Sequence, residues 1–266
     1  MENEDFPVPL LLEKFKDEKN AIIPVFYDYL EEELVYTEYI ESLVQKHAIK
    51  EINTILEITG NKKSSILKKT LKKYHVTSIN LEYKPKAYSK QENDSVIIIG
   101  DEIKFPDITD TYDVIVITND AFSGLSSSLA ISKFLKKIST LLRPKGLLIG
   151  ESYHIGGVKN ESATVKGKRN WLQFRQGETI ITRLTVSHLN IETGVLNISL
   201  RYLFENPEEE KIQNKLEAMA IRVYSFPELT EYLLNSGLNR INYYKANTKE
   251  SVDLKTFKFT FTAEKV

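Results

Sequence analysis

Residues 54–65, TILEITGNKKSS, end a short apolar run in one carboxylate, Glu57, and follow it with a loop that holds a single glycine, Gly60. A strand, a loop and an amphipathic segment in that order form a βα unit, whose loop backbone cradles a nucleotide cofactor in many folds. Glycines serve there because the ligand lies against the main chain and some φ angles are positive. Glu57 has two readings: it takes the amino group of a cofactor, or it accepts hydrogen bonds from its own loop, since a buried carboxylate needs partners. Lys62 and Lys63 in the loop either hold an anion or are solvated. Asp120 and His154 each follow a predicted strand end, where ligands bind in open α/β sheets. Either could receive a proton from an amine or orient it; either could equally be a surface loop residue. Tyr27, Tyr36 and Tyr153 are candidates for lining a pocket, a weak signal in a chain with 14 tyrosines.

Other chemistries are excluded or unsupported. The chain has no cysteine, which removes disulfides, thiolate nucleophiles and thiolate metal sites. Its four histidines, His47, His75, His154 and His188, are scattered, none at the i, i+4 spacing that chelates from one helix, so no metal site is expected. There is no Gly-x-Ser-x-Gly elbow and no Walker loop. A net charge of −1 gives no global reason to expect nucleic acid or an anionic membrane as partner. Lys68, Lys69, Lys72 and Lys73 read as the wet face of a helix; a basic patch for RNA would need interleaved aromatics. No apolar run reaches the roughly 20 residues that span a bilayer, and the acidic start does not read as a signal peptide. The expected location is the cytoplasm.

The elements that position these residues follow from periodicity. Residues 24–47 carry Leu34, Tyr36, Tyr39, Ile40, Leu43 and Val44 at helical spacing. Short apolar strands are expected at 53–58, 76–81 and 95–99, and YDVIVIT at 112–118 predicts a central strand. Amphipathic helices are expected at 64–74 and 128–142, the second closing at the turn Arg143-Pro144-Lys145-Gly146, after which LLIGESY begins a fifth strand. Strands alternating with helices predict a doubly wound, mostly parallel sheet. Beyond Tyr153 the pattern changes to a polar loop and three β-rich runs at 171–190, 195–205 and 215–224, joined by turn signals that predict antiparallel pairing. A helix at 226–237, with Pro227 in its first turn and Gly237 past its end, and strands near 239–245 and 255–263 complete the chain.

This order of elements resembles the class I S-adenosylmethionine (SAM)-dependent methyltransferases over some 240 residues, and most of all the small-molecule N-methyltransferase branch. The residues that carry the resemblance are Phe26-Tyr27-Asp28-Tyr29 and Val35-Tyr36-Thr37-Glu38-Tyr39 in the N-terminal helix, and Glu57-Ile58-Thr59-Gly60-Asn61-Lys62-Lys63 at the first motif. They continue with Asn80, Gly100-Asp101, Tyr112-Asp113-Val114-Ile115-Val116, Asn119-Asp120-Ala121-Phe122-Ser123-Gly124-Leu125, Leu142-Arg143-Pro144-Lys145-Gly146, Arg222-Val223-Tyr224-Ser225 and Glu228-Leu229. The resemblance implies a seven-stranded Rossmann-like sheet with an inserted antiparallel β lid. It also implies SAM as cofactor, held by Glu57, Gly60, Asn80, Gly100, Asp101 and Asn119. Asp101 would accept from the adenine amino group, and Asn80 would face the ribose. Asp120, His154 and Tyr27 would then handle the methyl acceptor. Two departures stand out: an asparagine and two lysines occupy loop positions where small residues belong, and Asn80 stands where the family has a carboxylate.

The expected organisation is an N-terminal helical segment over the site (1–50), a core (51–153 and 225–266) and a β-rich lid or substrate subdomain (154–224). Two functions remain open: SAM-dependent methylation of a small amine or hydroxyl compound, or a catalytically degenerate homologue that serves as a partner or scaffold. A small-molecule substrate is expected rather than a membrane or nucleic acid, with a homodimer or protein partner left open.

Overall fold

In the computed structural model, residues 112–117 (YDVIVI) form a strand in which all six residues are buried, as β-branched runs do when a parallel sheet is covered on both faces. The structure describes residues 29–60, 65–84, 94–96, 102–104, 107–118, 121–157, 168–176, 179–206 and 211–266. Among these the strands are β1 (Thr54–Gly60), β2 (His75–Lys84), β3 (Asp94–Val96), β4 (Glu102–Lys104), β5 (Tyr112–Ile117) and β6 (Leu142–Tyr153). They continue with β7 (Lys168–Gln176), β8 (Thr179–Asn190), β9 (Val195–Asn206), β10 (Lys211–Arg222), β11 (Leu238–Lys245) and β12 (Lys258–Lys265). The helices are α1 (Tyr29–His47), α2 (Leu67–Thr70), α3 (Ser128–Leu141) and α4 (Phe226–Leu234).

The large sheet runs β11-β12-β6-β5-β1-β2-β4. Its four central strands, β6, β5, β1 and β2, are parallel, and the strands at its margins pair antiparallel. Alternation along each strand divides the side chains between two layers. Ile55, Val114, Val116, Leu147 and Ile149 pack with Tyr39, Ile40, Leu43 and Val44 of α1. Leu56, Ile58, Ile115, Ile117 and Leu148 pack with Ile131, Phe134, Leu135 and Ile138 of α3 and Leu229 and Leu233 of α4. Both helices of that layer start on a serine cap. The Ser127 hydroxyl accepts from the Ala130 amide. Ser225 and Glu228 form a reciprocal capping box, and Gly237 with φ 79° lies just past the end of α4. The second sheet, β3-β10-β9-β8-β7, is antiparallel apart from β3. Its strands β7–β10 are inserted between β6 and α4, and the sheet packs through Ile181, Leu189, Leu196, Ile198 and Tyr202 around Tyr153.

Two expectations require correction. Of the third strand expected at 95–99, the described residues lie outside the large sheet: β3 pairs in parallel with β10, Asp94 opposite Leu216. The core edge is instead β4, antiparallel to β2 with Glu82 opposite Lys104. An apolar run specifies a strand but not which sheet edge it joins. The helix expected at 64–74 is a single turn, Leu67–Thr70. Its lysines put like charges at i, i+4 (Lys68 with Lys72, Lys69 with Lys73), which oppose extension. Thr70 meanwhile turns its hydroxyl to the Ile66 carbonyl at 2.9 Å and to Thr37 at 2.9 Å. All four lysines are exposed.

The contact between β6 and β12 leaves no room for a side chain at Gly150. A Cβ there would lie 2.4 Å from the Phe261 ring, which packs against Phe122 at 5.6 Å between centroids. Gly150→Ala is expected to cost about 1–3 kcal/mol through overpacking. Thermal melts check this, and adding Phe261→Leu should restore part of the loss because the two sites are coupled.

Candidate functional site

The chain runs outward from β1 in both directions across the sheet, to β2 and β4 on one side and to β5 and β6 on the other, so the strand order reverses between β1 and β5. Such a reversal leaves a crevice outside the carboxyl ends of the strands. The amide of Thr118, just beyond β5, donates to the Ile58 carbonyl at 2.9 Å and carries the β1–β5 pairing one residue past the strand. The loop that follows is anchored by Phe122, fully buried against Phe134, Tyr224 and Phe261.

Glu57 ends up fully buried on the α2 side of β1. One carboxylate oxygen accepts from the amides of Ile66 (3.0 Å) and Leu67 (3.2 Å), and the other from the Ser65 hydroxyl. Ser65 in turn accepts from the Lys68 amide at 3.1 Å. Amides at a helix start have no partner within the helix, and a carboxylate satisfies them strongly. Glu57 therefore closes the far end of the β1–α2 loop. Of its two sequence readings, the contact with its own loop is the one the geometry displays. No spacing in the sequence signals the bond between Ser65 and Glu57, which depends on how the loop closes.

Asn80 lies opposite Thr59 in the β1–β2 register and donates from Nδ2 to the Thr59 hydroxyl at 3.1 Å. It is half-buried at the carboxyl edge, while β2 continues to Lys84. Gly60, the last residue of β1, pairs with Leu81. Gly60 and Asn80 thus lie at the carboxyl-end side of β1 and β2, and Glu57 lies three residues before the end of β1. Tyr27, Lys62, Lys63, Gly100, Asp101, Asn119 and Asp120 lie outside the described residues.

His154 follows β6 but is buried. Its ring stacks on Phe226 at 4.1 Å with 5° between planes, and its amide donates to the Phe257 carbonyl at 2.8 Å. Burial lowers the imidazole pKa, opposed by the charge of Asp253 and by a hydrogen bond to the Thr256 backbone. Tyr153 is buried beneath the inserted sheet, and Tyr36 is half-buried beside α1's core contacts.

At the opposite, amino-terminal edge of the strands a cavity of about 310 Å³ is lined by Thr54, His75, Thr77, Tyr112 and Arg143 among others. Its Arg143 is bonded to Thr111 and Asp113. Among the described residues no group of three acidic or histidine side chains could hold a metal ion, and no helix is long and apolar enough to cross a membrane.

No protein-family model matches the chain, and no curated protein sequence matches it. Solved structures do. A SAM-dependent methyltransferase from Clostridium acetobutylicum superposes with a TM-score of 0.59 at 11% identity, covering 91% of this chain and 96% of the other. The CcbJ methyltransferase from Streptomyces caelestis gives 0.61 at 12% identity, covering 92% and 98%. The sugar N-methyltransferase KedS8 from Streptoalloteichus sp. gives 0.54 at 10% identity, covering 100% and 98%. The chain has the class I methyltransferase fold, with the inserted antiparallel sheet included in the match.

Proposed function

We propose that the protein is a SAM-dependent methyltransferase acting on a small-molecule amine or hydroxyl compound. The observation that carries this reading is the reversal of strand order between β1 and β5, with the segment after β1 tied back to that strand by buried Glu57. The donor set fits such a cofactor: the Asn80 carboxamide at the carboxyl edge can both donate to and accept from ribose hydroxyls, and Gly60 ends β1 with no side chain. When bound, SAM supplies a methyl group on a sulfonium, which a lone pair on the acceptor takes as the carbon–sulfur electrons return to sulfur. The chain's part is to bind, orient and exclude water, because proximity and alignment dominate this reaction. In this reading Glu57, Gly60, Asn80, Gly100, Asp101 and Asn119 form the cofactor side. Tyr27, Asp120 and His154 form the acceptor side, with Asp120 or His154 receiving the proton or orienting the amine. Residues 154–224 act as the lid. The likeness to a sugar N-methyltransferase over nearly the whole of both chains supports a small acceptor under such a lid.

A second reading, a non-catalytic partner or scaffold, is favoured by one observation: both Glu57 oxygens are engaged by the chain itself. Titration calorimetry with SAM and S-adenosylhomocysteine, beside Asp101→Ala, decides between them. Micromolar binding that is lost in the variant is expected. No heat at a protein concentration of about 100 μM, equivalent to affinity weaker than roughly −5.5 kcal/mol, sinks the enzyme reading and leaves the scaffold.

A further inference from the structure

One buried cation joins three separate parts of the molecule. Arg222, the last residue of β10, is 7% exposed. Its amide donates to the Ser123 carbonyl at 2.8 Å. Its guanidinium donates to the Glu228 carboxylate in the first turn of α4, to the Thr193 carbonyl in the β8–β9 turn, and at 3.4 Å to the Ser126 carbonyl. Ser123 and Ser126 belong to the loop that follows the carboxyl end of β5. A second observation concerns the turn itself. Gly194 has φ 64°, and a Cβ there would lie 2.9 Å from the Val223 carbonyl and 3.4 Å from the guanidinium. The Val223 amide also donates to the Gly194 carbonyl at 2.8 Å. The β8–β9 turn is therefore shaped around Arg222.

We propose that Arg222 is a positioning residue of the cleft, setting the loop after β5 by tying it to the inserted sheet and to the start of α4. Its effect on ligand binding rests on the methyltransferase reading; the tie between loop and sheet does not. A planar guanidinium can serve a carboxylate and two carbonyls on diverging sides, whereas a lysine ammonium is a single point on a flexible stem. Without the guanidinium, the sheet would keep its ladders and the loop would keep Phe122 in the core, but nothing charged would fix one relative to the other.

Hydrogen exchange on the full chain tests this, with Arg222→Met and Arg222→Lys compared with the wild type and calorimetry with S-adenosylhomocysteine run in parallel. In Arg222→Met the amides of Leu125 and of residues 191–194 are expected to exchange about tenfold faster while α3 is unchanged. The affinity for S-adenosylhomocysteine is expected to fall about tenfold in the same variant. Arg222→Lys should fall between the two, and it supplies the same readings if the methionine variant fails to fold. Loosening confined to residues 191–194, with Leu125 and the affinity unchanged, overturns the proposal. If the wild type binds no S-adenosylhomocysteine, the methyltransferase reading fails, and exchange at Leu125 alone decides the role of Arg222.

Discussion

Replacing Asp113 by alanine is expected to destabilise the protein by about 3 kcal/mol, the lower end of the range for stranding partners of a buried charge. Its side chain is 3% exposed at the amino-terminal edge of β5. There it accepts from the amides of Asn53 (3.1 Å) and Thr54 (3.0 Å), the Thr54 hydroxyl (3.0 Å), Lys50 (2.9 Å) and Arg143 (3.1 Å). One carboxylate thus binds the start of β1, the start of β5 and the turn into β6. Lys50 and Arg143 are partly exposed and screened, so the two backbone amides and the Thr54 hydroxyl carry most of the loss. The lower end of the range follows from that. For a chain of this size each kcal/mol shifts the melting temperature by about 2–4 °C, so a fall of roughly 6–12 °C is expected. A fall of less than about 2 °C would show that the network contributes little.

The same carboxylate predicts the acid response. Burial would raise its pKa, but the Lys50 ammonium and the amides of Asn53 and Thr54 outweigh burial and hold it well below the usual carboxylate range. A carboxyl group whose folded pKa lies below its unfolded value binds fewer protons folded than unfolded in the window between them. Its stabilisation is complete above the unfolded value of about 3.9 and is lost as pH falls below it toward the folded one. Asp113→Asn, which cannot titrate, should therefore melt lower than wild type at pH 7, and the gap should narrow from about pH 4 downward. A constant gap over that range would remove Asp113 from the acid response.

The second large effect is expected at Glu57. Glu57→Ala leaves the amides of Ile66 and Leu67 without their acceptor in a buried site, at a cost of about 2–4 kcal/mol. Glu57→Gln retains one oxygen for those amides, and its NH2 can donate to the Ser65 hydroxyl, so about 1 kcal/mol is expected. Binding of S-adenosylhomocysteine separates the two readings of this residue. If Glu57 acts by building the loop, alanine lowers affinity at least about tenfold while glutamine stays within a factor of a few. Equal losses in both variants would mean that the carboxylate charge itself meets the cofactor. Denaturant melts beside the titrations keep the folding loss apart from the binding loss.

Much of this protein was legible along the chain. The run YDVIVIT predicted β5, and the amphipathic stretch 128–142 predicted α3. Pro227 and Gly237 marked a helix at 226–237, which the structure forms over Phe226–Leu234. Each signal is a local pattern whose physics acts within one element, through alternation, helical period or a cap. The order of those patterns was enough to indicate the methyltransferase fold. Only the tertiary structure decided which partners distant residues take. It placed Asp94–Val96 on the inserted sheet, cut α2 to one turn and turned His154 onto Phe226. It also brought Ser65 to Glu57 and gathered Ser126, Thr193 and Glu228 around Arg222. Strand edges, buried carboxylates and guanidiniums accept many geometries, so their partners are set by which groups the packed layers bring within hydrogen-bond reach. No spacing in the sequence records that.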